Sequence, residues 1–97
     1  MKNKTKIAEY KKEVIDVMAK ISRDKNLLAD FMKDILTPHE FDNIGVRWQI
    51  VKKLAKGETH ESIAGDLGLG IATVTRGSRE MRDKEGGFQK TLKSLDI

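Results

Sequence analysis

The sequence predicts an all-α protein of about six helices. Apolar residues recur every three or four positions along most of the chain, as they do on the buried side of amphipathic helices. No stretch sustains the period-two alternation that is typical of a half-buried strand. Capping residues and glycines separate the periodic segments. Four of residues 71–75 are β-branched, but the stretch lies between glycines in a helical context, so a strand there is the less favoured alternative.

The first two helices carry the most regular apolar faces. A stripe with helical spacing predicts the first helix over residues 5–23. It consists of Ile7, Tyr10, Val14, Val17, Met18 and Ile21. Asp24 then favours a turn or a helix N-cap. The next apolar residues come in pairs four apart and predict a second, unusually apolar helix: Leu27, Leu28, Phe31, Met32, Ile35 and Leu36.

Start and stop signals define the remaining helices. Thr37 can cap, Pro38 suits a first helical position and Glu40 can complete a capping box, so a third helix begins here and ends at Gly57. Thr59 caps a short fourth helix that ends near Leu67. Gly68 and Gly70 precede a fifth helix over residues 71–82, and the glycine pair at 86–87 precedes a sixth. The sixth helix presents Phe88, Leu92 and Leu95 on one side.

Composition limits the function classes. At 97 residues and 11.0 kDa the chain predicts one domain over residues 1–97, and aromatics at 5% leave a core of aliphatic residues that a partner chain would help to stabilise. The absence of cysteine excludes disulfides, thiolate zinc sites and cysteine chemistry. We expect no membrane span and no secretory signal, and hence a cytoplasmic protein. His39 and His60 lie near helix starts without a nucleophile or paired acid in a shared motif, so an enzyme is the least favoured class.

The positive charge is concentrated at the N-terminus. The net charge is +4, and residues 1–25 hold eight Lys/Arg against four Asp/Glu. Such a segment can approach nucleic acid phosphates, or it can be a solvated, lysine-rich helix face. The charge distribution therefore permits DNA binding without showing it.

A helix-turn-helix pattern extends over residues 59–82. Such a unit needs a small residue in its first helix, a glycine in the turn and an apolar residue facing back from its second helix. Ala64, Gly68 and Val74 meet these needs at offsets of four and six residues. A helical hairpin without a DNA-binding role would use similar residues, so both interpretations stay open.

The exposed face predicted for the fifth helix suits DNA. A helix start with small apolar and hydroxyl side chains can approach phosphates and base edges. The candidate DNA-binding residues are Gly70, Ile71, Ala72, Thr73, Thr75, Ser78 and Arg79. Arg82 follows Arg79 by three residues, as Arg79 follows Arg76, and could also reach phosphates. For Arg79 and Arg82 the alternative is a charged, solvent-exposed helix face without a DNA contact. Arg76, beside Gly77 and Ser78, is more typical of a small carboxylate site.

One stretch of the chain closely resembles a known family. The resemblance rests on Leu36-Thr37-Pro38-His39-Glu40, Gly45-Val46-Arg47, Gly57-Glu58 and above all Gly68-Leu69-Gly70-Ile71-Ala72-Thr73-Val74-Thr75-Arg76-Gly77-Ser78. In these segments the chain resembles the bacterial tryptophan repressor family, with the clear match over residues 36–79. The resemblance implies an intertwined homodimer that binds a palindromic operator in double-stranded DNA, with L-tryptophan as corepressor and no other cofactor.

The resemblance also implies a ligand site. Arg47 would stack on the indole, and Arg76 would lie on its other side and bind the carboxylate. Thr37 would contact the ligand, while backbone carbonyls around Asp34 and Leu36 would face its amino group. Val51 and Gly77 would line the ring, and Ser78 with the first turn of the fifth helix would meet DNA.

Three residues depart from the family pattern. Glu80 replaces a serine at the ligand site, where a carboxylate can pair with the ligand's ammonium or can disfavour the tryptophan carboxylate. Trp48 replaces a smaller aliphatic residue, and Glu61 stands where the family often has a basic one. The same fold with another indole or amino-acid effector, or with none, is therefore an alternative. A protein-binding adaptor is another, because residues 58–84 have a net charge of −1, with four Lys/Arg against five Asp/Glu.

Overall fold

The described part of the chain folds into six helices, as the sequence predicts. The computed structural model describes residues 4–97, and no strand occurs among them. The helices are α1 (Lys4–Ile21), α2 (Lys25–Ile35), α3 (Pro38–Ala55), α4 (His60–Leu67), α5 (Ile71–Met81) and α6 (Gly87–Ser94). For the first, third, fourth and fifth helices, whose bounds the sequence predicts, the ends lie within two residues of the prediction. α1 stops at Ile21 because residues 22–24 form the turn in which Asp24 becomes the cap of α2.

The helices belong to two compact units, residues 1–41 and residues 42–97, and the boundary falls within α3. Residues 1–3 of the predicted basic segment lie outside the described part of the chain. The prediction of one domain over residues 1–97 stays a prediction.

In the first unit, α1 and α2 pack against each other but bury little. Among residues 4–41 no side chain is classed as buried. Tyr10, Leu27 and Ile35 remain 55%, 47% and 48% exposed, although all three belong to the predicted apolar faces. The single chain therefore leaves much of its most apolar surface in contact with water, which is unfavourable for side chains of this kind.

Two side-chain caps of the first unit match the sequence signals. Asp24 accepts a hydrogen bond from the Leu27 N–H at 3.1 Å and caps α2. At the start of α3, the Thr37 N–H donates to Glu40 Oε1 at 2.8 Å and the Glu40 N–H donates to Thr37 Oγ1 at 3.1 Å. This reciprocal pair is the predicted capping box. The Thr37 backbone N–H, with smaller contributions from the Thr37 side chain and His39, lowers the pKa of the Glu40 carboxyl below its ordinary value of 4.5.

The second unit contains the buried core. Ile50 from α3, Ile63 and Ala64 from α4 and Val74 from α5 form one cluster, in which Ile63 and Val74 are fully buried. Burial of an aliphatic side chain of this size contributes roughly 1.5–3 kcal/mol, so these contacts hold α3, α4 and α5 together. Val46, Leu54, Leu67 and Leu69 pack around the cluster.

Two glycine turns direct the chain through this core. Gly57, after α3, and Gly68, after α4, have φ angles of 83° and 65°, in the left-handed region that favours glycine. The turn at Gly68 is closed by the Leu69 N–H, which donates to the Ala64 carbonyl at 2.9 Å. Lys53 of α3 forms ion pairs with Glu58 and with Asp66 of α4, each at 3.5 Å.

Candidate functional site

The candidate site forms where α5 approaches α3. A Cβ atom placed on Gly77 would lie 2.9 Å from Cγ2 of Ile50, which is closer than real Cβ contacts come. Ile50 is 2% exposed, so its methyl group is held within the core. Because Gly77 has no side chain, the backbone of α5 can pack directly against Ile50 of α3. Their contact forms the apolar base of a cleft.

The cleft has a volume of about 580 Å³ and lies entirely within the second unit. We call it the α3–α5 cleft. Its lining residues are Asn43, Val46, Arg47, Ile50 and Val51 of α3, Leu69 of the turn, Thr73, Arg76, Gly77 and Glu80 of α5, and Phe88 of α6. Its volume falls within the range of pockets that bind small organic molecules.

Three charged side chains lie at the exposed edge of this cleft. Arg47 belongs to α3, whereas Arg76 and Glu80 belong to α5, four residues apart. Among the described residues, none of the three forms an ion pair or a side-chain hydrogen bond, since both ion pairs involve Lys53. Their charges are thus available to a ligand. Two guanidinium groups beside an apolar base can bind a carboxylate and stack against a flat ring.

The structure brings together most of the ligand residues that the sequence predicts. Arg47, Val51, Arg76, Gly77 and Glu80 all line the α3–α5 cleft. Their contact with a ligand stays a prediction.

Leu36 and Thr37 belong to the first unit. Leu36 follows the last residue of α2, and Thr37 caps α3 through its bonds with Glu40. The Thr37 hydroxyl therefore already accepts one hydrogen bond within the protein. The ligand contacts predicted for Leu36, Thr37 and the Asp34 carbonyl remain predictions.

Sequence reasoning did not find five residues that line the cleft. They are Asn43, Val46, Ile50, Leu69 and Phe88. Asn43 lies four residues before Arg47, Ile50 lies three residues after it, and Val46 lies four residues before Ile50. Helical periodicity starting from Arg47 would therefore have indicated all three. Phe88 follows the glycine pair at 86–87, and no local signal relates it to α3. Trp48, which departs from the family pattern beside Arg47, is half-buried and does not line the cleft.

The predicted DNA-binding residues form the start and the outer side of α5. Gly70 is the N-cap of this helix and provides no side-chain cap, so the first N–H groups remain available to an anion. Ile71 is 49% exposed, Ala72 and Arg79 are exposed, and Thr75 and Ser78 are half-buried. Thr73 is exposed and also lines the α3–α5 cleft, so it lies between the two predicted sites.

Two other kinds of site find no support in residues 4–97. No group of three or more His, Asp or Glu side chains in this part of the chain could hold a metal ion. None of the helices α1 to α6 has the length and apolar character that a membrane crossing requires.

Comparison with known proteins identifies the family. The family model described as Trp repressor protein matches residues 9–96, which include the α3–α5 cleft and all of α4 and α5. The chain belongs to the Trp repressor family. Trp repressors are DNA-binding transcription regulators and not enzymes, so the prediction that this protein is not an enzyme is confirmed.

Individual relatives agree with the Trp repressor assignment. A Trp operon repressor homolog of Haemophilus influenzae is 34% identical over 82 residues, which are 82% of this chain and 81% of the relative. Trp operon repressor homologs of Vibrio campbellii and Vibrio parahaemolyticus are each 40% identical over 62 residues, or 63% of this chain. Those matches span 62% and 60% of the Vibrio proteins, less than two thirds of their length.

Proposed function

We propose that this chain is a dimeric transcriptional repressor whose affinity for operator DNA depends on an aromatic amino acid, L-tryptophan, bound in the α3–α5 cleft. One observation carries the proposal: Arg47 of α3 and Arg76 of α5 line one cleft with an apolar base, and neither forms an ion pair with any residue that the structure describes. The names of the Haemophilus and Vibrio relatives support the same function.

The ligand would act by connecting two helices. Its ring would rest on the apolar base near Val51 and Gly77, with the Arg47 guanidinium stacked on it, and its carboxylate would bind Arg76. A molecule held by residues of both α3 and α5 favours one orientation of α5. The ligand then raises DNA affinity by its preference for the conformation in which α5 is correctly placed.

The DNA contacts would come from the start of α5. Its free N–H groups, after the side-chain-free Gly70, would bind a backbone phosphate, and Arg79 would add a second phosphate contact. Ile71, Ala72 and the threonines at 73 and 75 present methyl and hydroxyl groups that suit thymine methyls and base edges in a major groove. Ser78 would complete this surface. A repressor of this kind acts on chromosomal DNA, and we place it in the cytoplasm.

The dimer would cover the apolar surface of the first unit. Residues 4–41 bury no side chain within one chain, although α1 and α2 are strongly amphipathic. A second copy that packs on these helices would bury that surface and would place two α5 helices on one palindromic operator.

Calorimetry with L-tryptophan tests the ligand site. We expect one molecule to bind per chain, Arg76→Ala to reduce the affinity about tenfold or more, and Arg47→Ala to reduce it less selectively. Arg82→Ala is the matched control, because Arg82 is an exposed arginine just after α5 that does not line the cleft. If the three variants and the parent protein bind L-tryptophan with equal affinity, the ligand does not bind in the α3–α5 cleft.

Operator binding with and without L-tryptophan tests the regulatory part. We expect tryptophan to increase the affinity of the parent protein for a palindromic operator and to leave the Arg76→Ala variant unaffected. No heat of binding together with ligand-independent DNA affinity would remove the corepressor from the proposal and retain the DNA-binding function.

A further inference from the structure

We propose that Gln89 of α6 is a positioning residue for operator binding: its side chain holds the last turn of α5 and thereby favours the orientation of α5 that binds DNA. The inference rests on the proposed function, in which the ligand selects that same orientation. It gives α6 a role that is separate from ligand contact, since Gln89 does not line the α3–α5 cleft.

The hydrogen bond of Gln89 gives the first argument. Its Nε2 atom donates to the Met81 carbonyl at 2.7 Å, and the bond is partly buried. Met81 is the last residue of α5, and the carbonyls of a last helical turn have no partner within their own helix. Among the described residues, no other side-chain hydrogen bond joins α5 to α6. Gln89 therefore supplies a partner that this end of α5 lacks.

The loop between α5 and α6 gives the second argument, because it leaves the Met81 carbonyl open to Gln89. If α5 continued, the Glu85 N–H would donate to that carbonyl. It donates instead to Asp83 Oδ1 at 3.0 Å, and the Gly86 N–H donates to the Asp83 carbonyl at 2.9 Å. These two bonds end α5 and turn the chain, so that the third residue of α6 lies next to the end of α5.

The burial of α6 gives the third argument. Leu92, three residues after Gln89, is 4% exposed and lines a cavity with Leu54 and Ala55 of α3. Because this burial fixes α6 beside α3, the bond from Gln89 connects the end of α5 to a fixed helix. The start of α5 has no comparable connection, since Gly70 provides no side-chain cap. α5 is thus held at the end opposite to the proposed DNA contacts.

The effect on binding follows from the shared orientation of α5. Operator DNA and L-tryptophan both bind the orientation that Gln89 favours, so loss of the bond lowers the population that can bind either of them. Operator affinity without ligand should then fall, whereas saturating tryptophan restores the orientation and most of the affinity. The ratio of the two operator affinities should therefore increase. The affinity for tryptophan should fall by a similar factor, because it depends on the same population.

The Gln89→Met variant tests the proposal on the intact protein, because methionine keeps the length of the side chain and removes its donor. We expect the ratio of operator affinities with and without saturating L-tryptophan to increase about fivefold, the factor that corresponds to one net hydrogen bond. Gln89→Lys keeps an N–H donor and should restore the ratio of the parent protein.

Gln49→Met is the matched control. Gln49 is a half-buried glutamine on α3 that forms no side-chain hydrogen bond with any described residue and lines neither cavity. We expect this variant to keep the affinity ratio of the parent protein.

Amide hydrogen exchange measures the effect of the bond without ligand or DNA. In Gln89→Met, the backbone amides in the last two turns of α5 should exchange about fivefold faster than in the parent protein, because this end of the helix opens more often. The amides of α4 should exchange at unchanged rates.

The outcomes separate this inference from the proposed function. If Gln89→Met melts at a lower temperature but keeps the parent's affinity ratio and α5 exchange rates, Gln89 only stabilises the fold and the inference is wrong. The proposed function survives that result if L-tryptophan still raises the operator affinity of the parent protein. If tryptophan has no effect on the parent, the corepressor role fails. Faster α5 exchange and weaker operator binding in Gln89→Met would then still support the positioning role, and unchanged values would overturn it.

Discussion

At the scale of single residues, Gly77 has the clearest structural role, because it sets the distance between α5 and α3. Alanine in a helix is favoured over glycine by roughly 1 kcal/mol, but the added Cβ at position 77 would press on a buried, β-branched isoleucine that cannot move aside easily. Overpacking of this kind costs roughly 1–3 kcal/mol. We therefore expect Gly77→Ala to lower the free energy of unfolding by about 1 kcal/mol, measured by urea denaturation.

Gly65→Ala is the matched control for this prediction. Gly65 lies within α4, and a Cβ atom there would meet nothing within 4 Å. We expect this substitution to raise the free energy of unfolding by up to about 1 kcal/mol through helix propensity alone. The two glycine substitutions should thus have opposite signs. A stabilising Gly77→Ala would mean that α3 and α5 do not approach each other as closely as the structure has them.

The sequence indicated which residues could bind a ligand or DNA, but it was less informative about which of them lie close together in the fold. Arg47 and Arg76 were paired through a family resemblance, since 28 residues lie between them and no periodicity relates one helix to the other. Phe88 was missed as a cleft residue for the same reason. In contrast, the roles of Thr37, Glu40 and Thr59 as caps were predicted correctly, because a cap depends on residues three positions away.

At the scale of elements, the start of α3 should respond to acid. The Thr37 backbone N–H holds the pKa of Glu40 below its ordinary value in the folded state. The folded protein therefore favours the ionised carboxylate more than the unfolded chain does. This stabilisation is fully present above the unfolded pKa and is lost as the pH falls through the lower, folded value.

Unfolding experiments between pH 6 and pH 3 test this acid dependence. In the Glu40→Gln variant, the side-chain amide oxygen can still accept a hydrogen bond from the Thr37 N–H, but the side chain does not titrate. We expect the stability of this variant to fall less steeply with decreasing pH than that of the parent protein. Parallel stability curves for the two proteins would mean that the Glu40 carboxylate does not contribute to the acid sensitivity.

The exposed face of α5 should determine DNA specificity. Ile71→Ala and Thr75→Ala each remove a methyl or hydroxyl group that the proposal directs at base edges, so each should cost roughly 1–3 kcal/mol of discrimination between operator and random DNA. Thr91→Ala is the control, because Thr91 is an exposed threonine on α6. Competition binding with operator and random duplexes measures the effect. Unchanged discrimination in both α5 variants would show that another face of the protein contacts the groove.

Apolar periodicity and cap and turn residues explain why six helices were predicted, and why the bounds given for four of them agree with the structure to within two residues. Apolar spacing, capping residues and glycine turns are properties of short stretches, and they determine where each helix starts and stops. Packing between helices depends on shape at contacts such as Gly77 with Ile50, which the pattern of apolar residues does not encode. The sequence therefore predicted the elements well and the α3–α5 cleft only through resemblance.

At the scale of the whole molecule, the distribution of burial predicts association. The buried side chains described for one chain are Ile50, Val51, Ile63, Ala64, Val74 and Leu92, and all of them lie in the second unit. Helices α1 and α2 keep large apolar side chains in water, which a second copy of the chain would cover. Because association stabilises the folded state by mass action, we expect the melting temperature to rise with protein concentration.

Tyr10→Gln should weaken the dimer. Tyr10 belongs to the apolar stripe of α1 and is 55% exposed in one chain, so its burial in a dimer would contribute on the order of 1–3 kcal/mol. Analytical ultracentrifugation should show a larger monomer fraction for this variant and a lower melting temperature at equal concentration. Lys12→Gln, on the opposite side of α1, should leave both quantities near those of the parent. A parent protein that sediments as a monomer, with a melting temperature independent of concentration, would contradict the dimer and require another partner for the first two helices.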